Sequence, residues 1–195
     1  MIRVCAPVVL RAGFAGILAV AAAPSAAAAA TVAVESERDG NAVSIHARAV
    51  VNADVATAWR VLTDYDRYVE FIPDLRLSRV VARSGSTVTV EQSGDATWIF
   101  RFPIDVTYEI NEVPPSHLQS RAVAGSLRSL VSSYMLTPGN AGTRLEYSGH
   151  VEPGFAIFGR IEQAAVERNI ARQFQALADE IERQGANANL VPGGK

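Results

Sequence analysis

With 195 residues and 49% apolar side chains, the chain is long enough to bury one substantial core and needs no second domain to do so. Its 18 basic and 20 acidic residues leave a formal charge of -2. That near-balance excludes the global basic field with which proteins attract nucleic acid, so nucleic acid is not an expected partner.

The first thirty residues differ from the rest. Arg3 and Arg11 are followed by an uncharged run from Ala12 to Ala30 with an apolar centre at Phe14, Ile17, Leu18 and Val20, then Pro24 and small residues. This pattern predicts a secretory signal peptide over 1–30, cleaved between Ala26 and Thr31, and hence an exported, periplasmic protein. The alternative is an uncleaved anchor, since 19 uncharged residues nearly span a bilayer; the weak hydrophobicity of alanine and the break at Pro24 favour cleavage. Removal of that segment leaves 16 basic against 20 acidic residues, a charge of -4. It also removes Cys5, the single cysteine, so the mature chain has no disulfide and no lipid-anchor cysteine.

From Thr31 the chain reads as extended. Asp39-Gly40-Asn41 separates two strand-like runs, 31–37 and 42–51, as a hairpin turn does, and Val43, Ile45, Ala47, Ala49 and Val51 mark the buried face of the second. Asn52 offers a helix cap, Asp54 a charge in the first turn, and Val55, Ala58, Trp59 and Leu62 a helical stripe. A second short helical stretch runs from Tyr68 to Ile72, ended by Pro73.

Alternating runs follow at 75–83, 87–94, 96–111, 117–124, 127–137 and 143–152. Their short turns, such as Ser84-Gly85-Ser86 and Pro114-Pro115-Ser116, predict an antiparallel meander. In the run over 96–111 every even position from Trp98 to Ile110 is apolar. Pro103 removes a ladder donor midway, which predicts one long strand bent or bulged there. The last element, 155–183, carries Val166, Ile170, Phe174, Leu177 and Ile181 on one helical stripe. Gly185 reads as its stop, and 185–195 as a disordered tail.

The stretches AWRVLTDYDRYVEFIPDL at 58–75, FRFPIDVTYEINEVPP at 100–115 and GTRLEYSGHVEPGF at 142–155 resemble the START-like superfamily of polyketide cyclases, dehydrases and lipid-transfer proteins. Within it they are similar to the bacterial cyclase-like group that includes coenzyme Q-binding proteins. The likeness spans about 42–183. It implies an α+β helix-grip fold over 31–184: a curved antiparallel sheet wrapped around a long C-terminal helix, with two short helices between the early strands. It also implies a cavity between sheet and helix for an apolar small molecule such as a lipid, isoprenoid or quinone, with room for transient membrane contact. By that analogy Tyr65, Phe71 and Ile72 stand at the mouth. Trp98, Phe100, Phe102 and Tyr108 line the sheet, and Phe155, Phe158 and Gln163 the helix. Against this, an aromatic stripe on a strand is more often plain core. Gln163 faces the cavity if the stripe continues back by one turn, and solvent if the helix starts late.

Other chemistry finds little support. His46, His117 and His150 lack metal-ligand spacing, no cysteine remains to help them, and no cofactor fingerprint occurs. His46 and His150 fall on the wet parity of their strands. Glu91, Asp95 and Arg101 read as surface ion pairs before they read as acids and bases, so no catalytic residue is assigned. The rivals to a carrier are a cyclase or dehydratase and an interaction module whose interior is filled by its own side chains.

Overall fold

The computed structural model describes residues 30–97, 101–154 and 159–190. The expected signal peptide, apart from Ala30, therefore lies outside the described residues. Eight strands form one sheet in the order β1-β2-β8-β7-β6-β5-β4-β3, every neighbouring pair antiparallel. They are β1 Ala33–Asp39, β2 Ala42–Val51, β3 Leu75–Ser84, β4 Thr87–Thr97, β5 Arg101–Val113, β6 His117–Gly125, β7 Leu127–Gly139 and β8 Gly142–Pro153. Helices α1 (Val55–Leu62) and α2 (Tyr68–Phe71), with a single 3-10 turn between them, interrupt the strands early; α3 (Gly159–Leu190) ends the fold. This is the α+β helix-grip arrangement the sequence predicts.

The sheet curls around α3, which touches β1 and β2 near one edge and β4 near the other. Strand parity explains the curl's inner surface: Val43, Ile45, Ala47, Ala49 and Val51 of β2 are buried while His46, Arg48 and Val50 are exposed. Phe174, Leu177, Ala178 and Ile181 of α3 pack on that surface, and Ala58, Val61 and Leu62 of α1 join the same core. Full burial of a side chain such as Ile181 or Leu145 stabilises the fold by about 1.5–3 kcal/mol.

Four expectations are corrected. The cap of α1 is Asp54, whose Oδ1 accepts from the Thr57 N–H at 2.7 Å; the Asn52 N–H instead donates to Glu182 of α3 at 3.0 Å. A carboxylate nearer the first turn outcompetes the amide two residues earlier. Second, the run over 96–111 is not one strand. Thr97 pairs with Arg101, so its first residues belong to β4 and the rest to β5, and the apolar alternation continues across a chain reversal that periodicity alone does not detect.

Third, the β4–β5 register is unbroken through Pro103, and the irregularity in β5 falls at Thr107/Tyr108 on the β6 side. Pro103 needs no bulge because the β5–β6 ladder begins only at Val106↔Gly125, so no ladder donor is required of it on that edge. Fourth, α3 passes Gly185 and runs to Leu190. Gly185 is buried, and a Cβ there would lie 2.8 Å from the Ala53 Cβ and 3.1 Å from the Asn52 carbonyl oxygen. The glycine permits close approach of helix to chain, and it does not end the helix.

One further feature shapes the sheet. The β6–β7 ladder stops at Arg121↔Val131, although β6 stays on β5 as far as Gly125 and β7 stays on β8 from Leu127. The two strands splay apart and rejoin at Ser126, whose N–H donates to the Asp105 carbonyl at 2.8 Å.

Candidate functional site

Between the sheet and α3 lie two adjoining spaces of about 140 and 180 Å³. The first is enclosed by Tyr65, Tyr108, Ile110, Leu118 and Ser120, with Leu130 from the splayed part of β7. The second is enclosed by Ile72 and Leu75 at the early helices and by Ile170, Phe174 and Leu177 on α3. Tyr68, Gln92, Tyr134 and Tyr147 border both.

The chain has five tyrosines, and all five line the first space. Local structure explains why. Tyr108 shares inward parity with Val106 and Ile110 on β5, Tyr134 with Ser132 and Leu136 on β7, and Tyr147 with Leu145 and Val151 on β8. Tyr134 and Tyr147 are cross-strand partners with ring centroids 4.8 Å apart, and Tyr134 stacks on Phe174 of α3 at 6.3 Å and 5°. Tyr65 and Tyr68 come from the early helical turn, edge to face at 5.8 Å.

Tyr68, Tyr108, Tyr134 and Tyr147 are half-buried by area yet sit deep in the fold, because their remaining exposure faces the cavity. Burial holds the phenols of Tyr68, Tyr108, Tyr134 and Tyr147 above the ordinary value of 10.0. Neighbouring phenols add to this for Tyr134, with Tyr147, Tyr68 and Tyr108 all contributing; a bond with Ser132 partly offsets it for Tyr147. Burial pushes Tyr65 up as well, and Glu112 adds to it. All five therefore stay protonated as hydrogen-bond donors.

Their partners differ. Tyr65 donates to Glu112 at 3.0 Å, Tyr68 donates to the Leu62 carbonyl at 2.6 Å, and Tyr147 bonds Ser132. Tyr108 and Tyr134 have no hydrogen-bond partner among the described residues. Gln92 donates to Ser78 at 3.1 Å and Ser120 bonds Ser132 at 2.6 Å. No Asp, Glu, Lys, Arg or His lines either space among the described residues. The arrangement solvates an uncharged apolar molecule and offers it a few hydroxyl donors; it holds nothing that would neutralise an ion.

A larger groove of about 800 Å³ lies on the opposite, outer face of the sheet. Exposed His46, Arg121 and His150 border it, with Ser44 bonded to His150 at 3.1 Å. Charged Glu109 borders it together with Arg121, as on the ordinary wet face of a sheet covered on one side only. Size does not decide here: the inner spaces lie between the sheet and α3 with no ionised side chain bordering them among the described residues, whereas Glu109 and Arg121 would sit against a guest in the outer groove.

Of the residues expected at the site, Tyr65 and Tyr108 line the first space and Ile72 the second. Phe71 packs on the core against Tyr68, centroids 5.6 Å apart, and borders neither space. Trp98, Phe100, Phe155 and Phe158 lie outside the described residues, as do the side chains of Phe102 in β5 and Gln163 in α3. His46 and His150 are exposed as their parity predicts, Glu91 pairs with Arg79 at 2.6 Å and Asp95 with Arg76 at 2.6 Å. Among the described residues no group of acidic, His or Cys side chains gathers as metal ligands would.

The comparisons agree with this geometry. A family model described as polyketide cyclase / dehydrase and lipid transport matches residues 42–184. No curated protein sequence matches the chain. Among solved structures, a STAR-related lipid transfer protein from Xanthomonas axonopodis is similar at a TM-score of 0.63 and 17% identity, covering 80% of this chain and 94% of that one. The protein TTHA0849 from Thermus thermophilus gives 0.62 and 16%, covering 74% and 98%. The Zhui aromatase/cyclase from Streptomyces sp. R1128 gives 0.59 and 15%, covering 79% and 96%. At such identities these structures speak for the fold alone. The family model spans β2 to β8, the early helices and α3 as far as Gln184, and on that match the chain belongs to the polyketide cyclase / dehydrase and lipid transport family of the START-like superfamily.

Proposed function

We propose that this protein is an exported binding or carrier protein for an uncharged, apolar small molecule of the lipid, isoprenoid or quinone-like class, held between the sheet and α3. The observation that carries the reading is the pair of inner spaces, bordered by five tyrosines and by no ionised side chain among the described residues. Burying a guest's hydrocarbon surface there contributes about 25 cal/mol per Å² before ordering costs are subtracted. A cyclase would need an acid or base near neutral pH, and burial moves the lining phenols away from that range. An interaction module with a self-filled interior would leave no such spaces.

The export reading rests on the first thirty residues. Ala30 adds a constraint on processing: it is 6% exposed within the core cluster, and its carbonyl accepts from Gln175 of α3 at 3.1 Å. Cleavage on the amino side of Ala30 keeps that contact; cleavage after it does not.

Native mass spectrometry of protein purified from its own host envelope, with solvent extraction and identification of bound material, tests the proposal. The expected result is a neutral organic molecule released from part of the population. Repeatedly empty preparations that also fail to take up apolar probes would overturn it.

A further inference from the structure

The cavity's polar features deepen that reading, on which the following inference rests. A buried phenol that donates to nothing loses a hydrogen bond it made with water, so native interiors rarely leave one unmatched. Here two make no hydrogen bond among the described residues, Tyr108 on β5 and Tyr134 on β7, while Tyr65 and Tyr68 each have an acceptor and Tyr147 has Ser132 beside it. Both line the same space, and the Tyr108 phenol lies near enough to that of Tyr134 to raise the latter's pKa.

We propose that the ligand carries an uncharged acceptor oxygen, a ketone or quinone carbonyl, taken up by the hydroxyls of Tyr108 and Tyr134. One carbonyl oxygen has two lone pairs and accepts from both at once. A carboxylate or phosphate is disfavoured in the same place, because among the described residues no cationic side chain borders either space to offset the cost of burying its charge. A pure hydrocarbon enters the cavity but leaves both phenols unsatisfied. The recognised chemistry is therefore a carbonyl set in an apolar frame.

The test uses the purified mature chain and three probes of nearly one shape: fluorene, 9-fluorenone and fluorene-9-carboxylate. Affinity is measured by equilibrium dialysis, and the fluorenone carbonyl stretch by infrared difference spectroscopy. Wild-type protein should bind fluorenone at least about fivefold more tightly than fluorene, one net hydrogen bond's worth, and the carboxylate more weakly than either. The bound carbonyl stretch should lie below its value in hydrocarbon solvent. Tyr108→Phe and Tyr134→Phe should each narrow the preference, and the double variant should abolish it and return the stretch upward, with fluorene bound at least as tightly as by wild type because no phenol is then left unsatisfied. Thermal melts of the variants verify folding. Equal binding of fluorene and fluorenone, or a preference that survives the double variant, would overturn the carbonyl inference and leave the carrier reading standing. Binding of none of the three probes would overturn both.

Discussion

A Cβ placed on Gly149 would lie 2.4 Å from the Tyr147 hydroxyl oxygen, so the absence of a side chain at 149 is what lets the Tyr147 phenol lie flat along its own strand. Gly149 sits between Ile45 of β2 and Ser132 of β7 in the ladder. The phenol thus fills the room the glycine vacates and reaches Ser132. Gly149→Ala should push the ring toward the cavity, lower stability by about 1–3 kcal/mol as overpacking does, and weaken apolar-probe binding in the same variant. Thermal melts and probe titration check this; unchanged probe affinity would mean the ring does not border the guest.

Gly185 presents a contest between two effects. In an exposed helix interior Gly→Ala stabilises by up to about 1 kcal/mol. Here the new methyl would meet the Ala53 Cβ at 2.8 Å and the Asn52 carbonyl at 3.1 Å, contacts that packed neighbours cannot easily relieve. Steric cost should win, so Gly185→Ala is expected to be destabilising, by roughly 1 kcal/mol net in urea unfolding.

Asp54 caps α1, and Asp54→Ala should cost about 1 kcal/mol. The Thr57 N–H holds its carboxyl below the ordinary 3.8. The sign follows from linkage: the folded state binds this proton less readily than the unfolded one, so the contribution is complete above about pH 4 and is lost as pH falls through the lowered value. Asp54→Asn keeps most of the cap but not this acid-dependent step. Urea midpoints at pH 7 and pH 3 for the three proteins read it directly.

The interior phenols give the opposite limb. Their folded values are raised above 10.0, so unfolded tyrosine begins to ionise first, and stability should fall as pH climbs past about 10. Absorbance at 295 nm should therefore rise together with loss of far-UV circular dichroism, in one transition. Early ionisation of several tyrosines in a fully folded protein would contradict the buried cluster.

Much of the fold was legible from the residues. Strand β2 shows why: strict alternation from Val43 to Val51 leaves one register, and the structure has it. The reversal between Thr97 and Arg101 was hidden because alternation continues unbroken into the partner strand. The site was read less completely. Tyr108 was recoverable from its parity with Ile110, whereas Tyr134 was obscured by Ser129, Ser132 and Ser133, which blur inward and outward faces on β7. Tyr147 had a usable signal, since Arg144, Glu146, Ser148 and His150 mark the wet parity and leave 147 inward. What no periodicity conveys is that these rings meet, because that depends on β7 and β8 pairing Tyr134 with Tyr147 and on α3 bringing Phe174 over them.

The cavity between the sheet and α3, as the place where a guest binds, is tested most directly by nuclear Overhauser contacts in a complex with 9-fluorenone. The account predicts contacts from the probe to ring protons of Tyr108, Tyr134 and Tyr147 and to side chains of Ile170 and Phe174. Contacts confined to His46, His150 and Val131 would place the guest in the outer groove and contradict it.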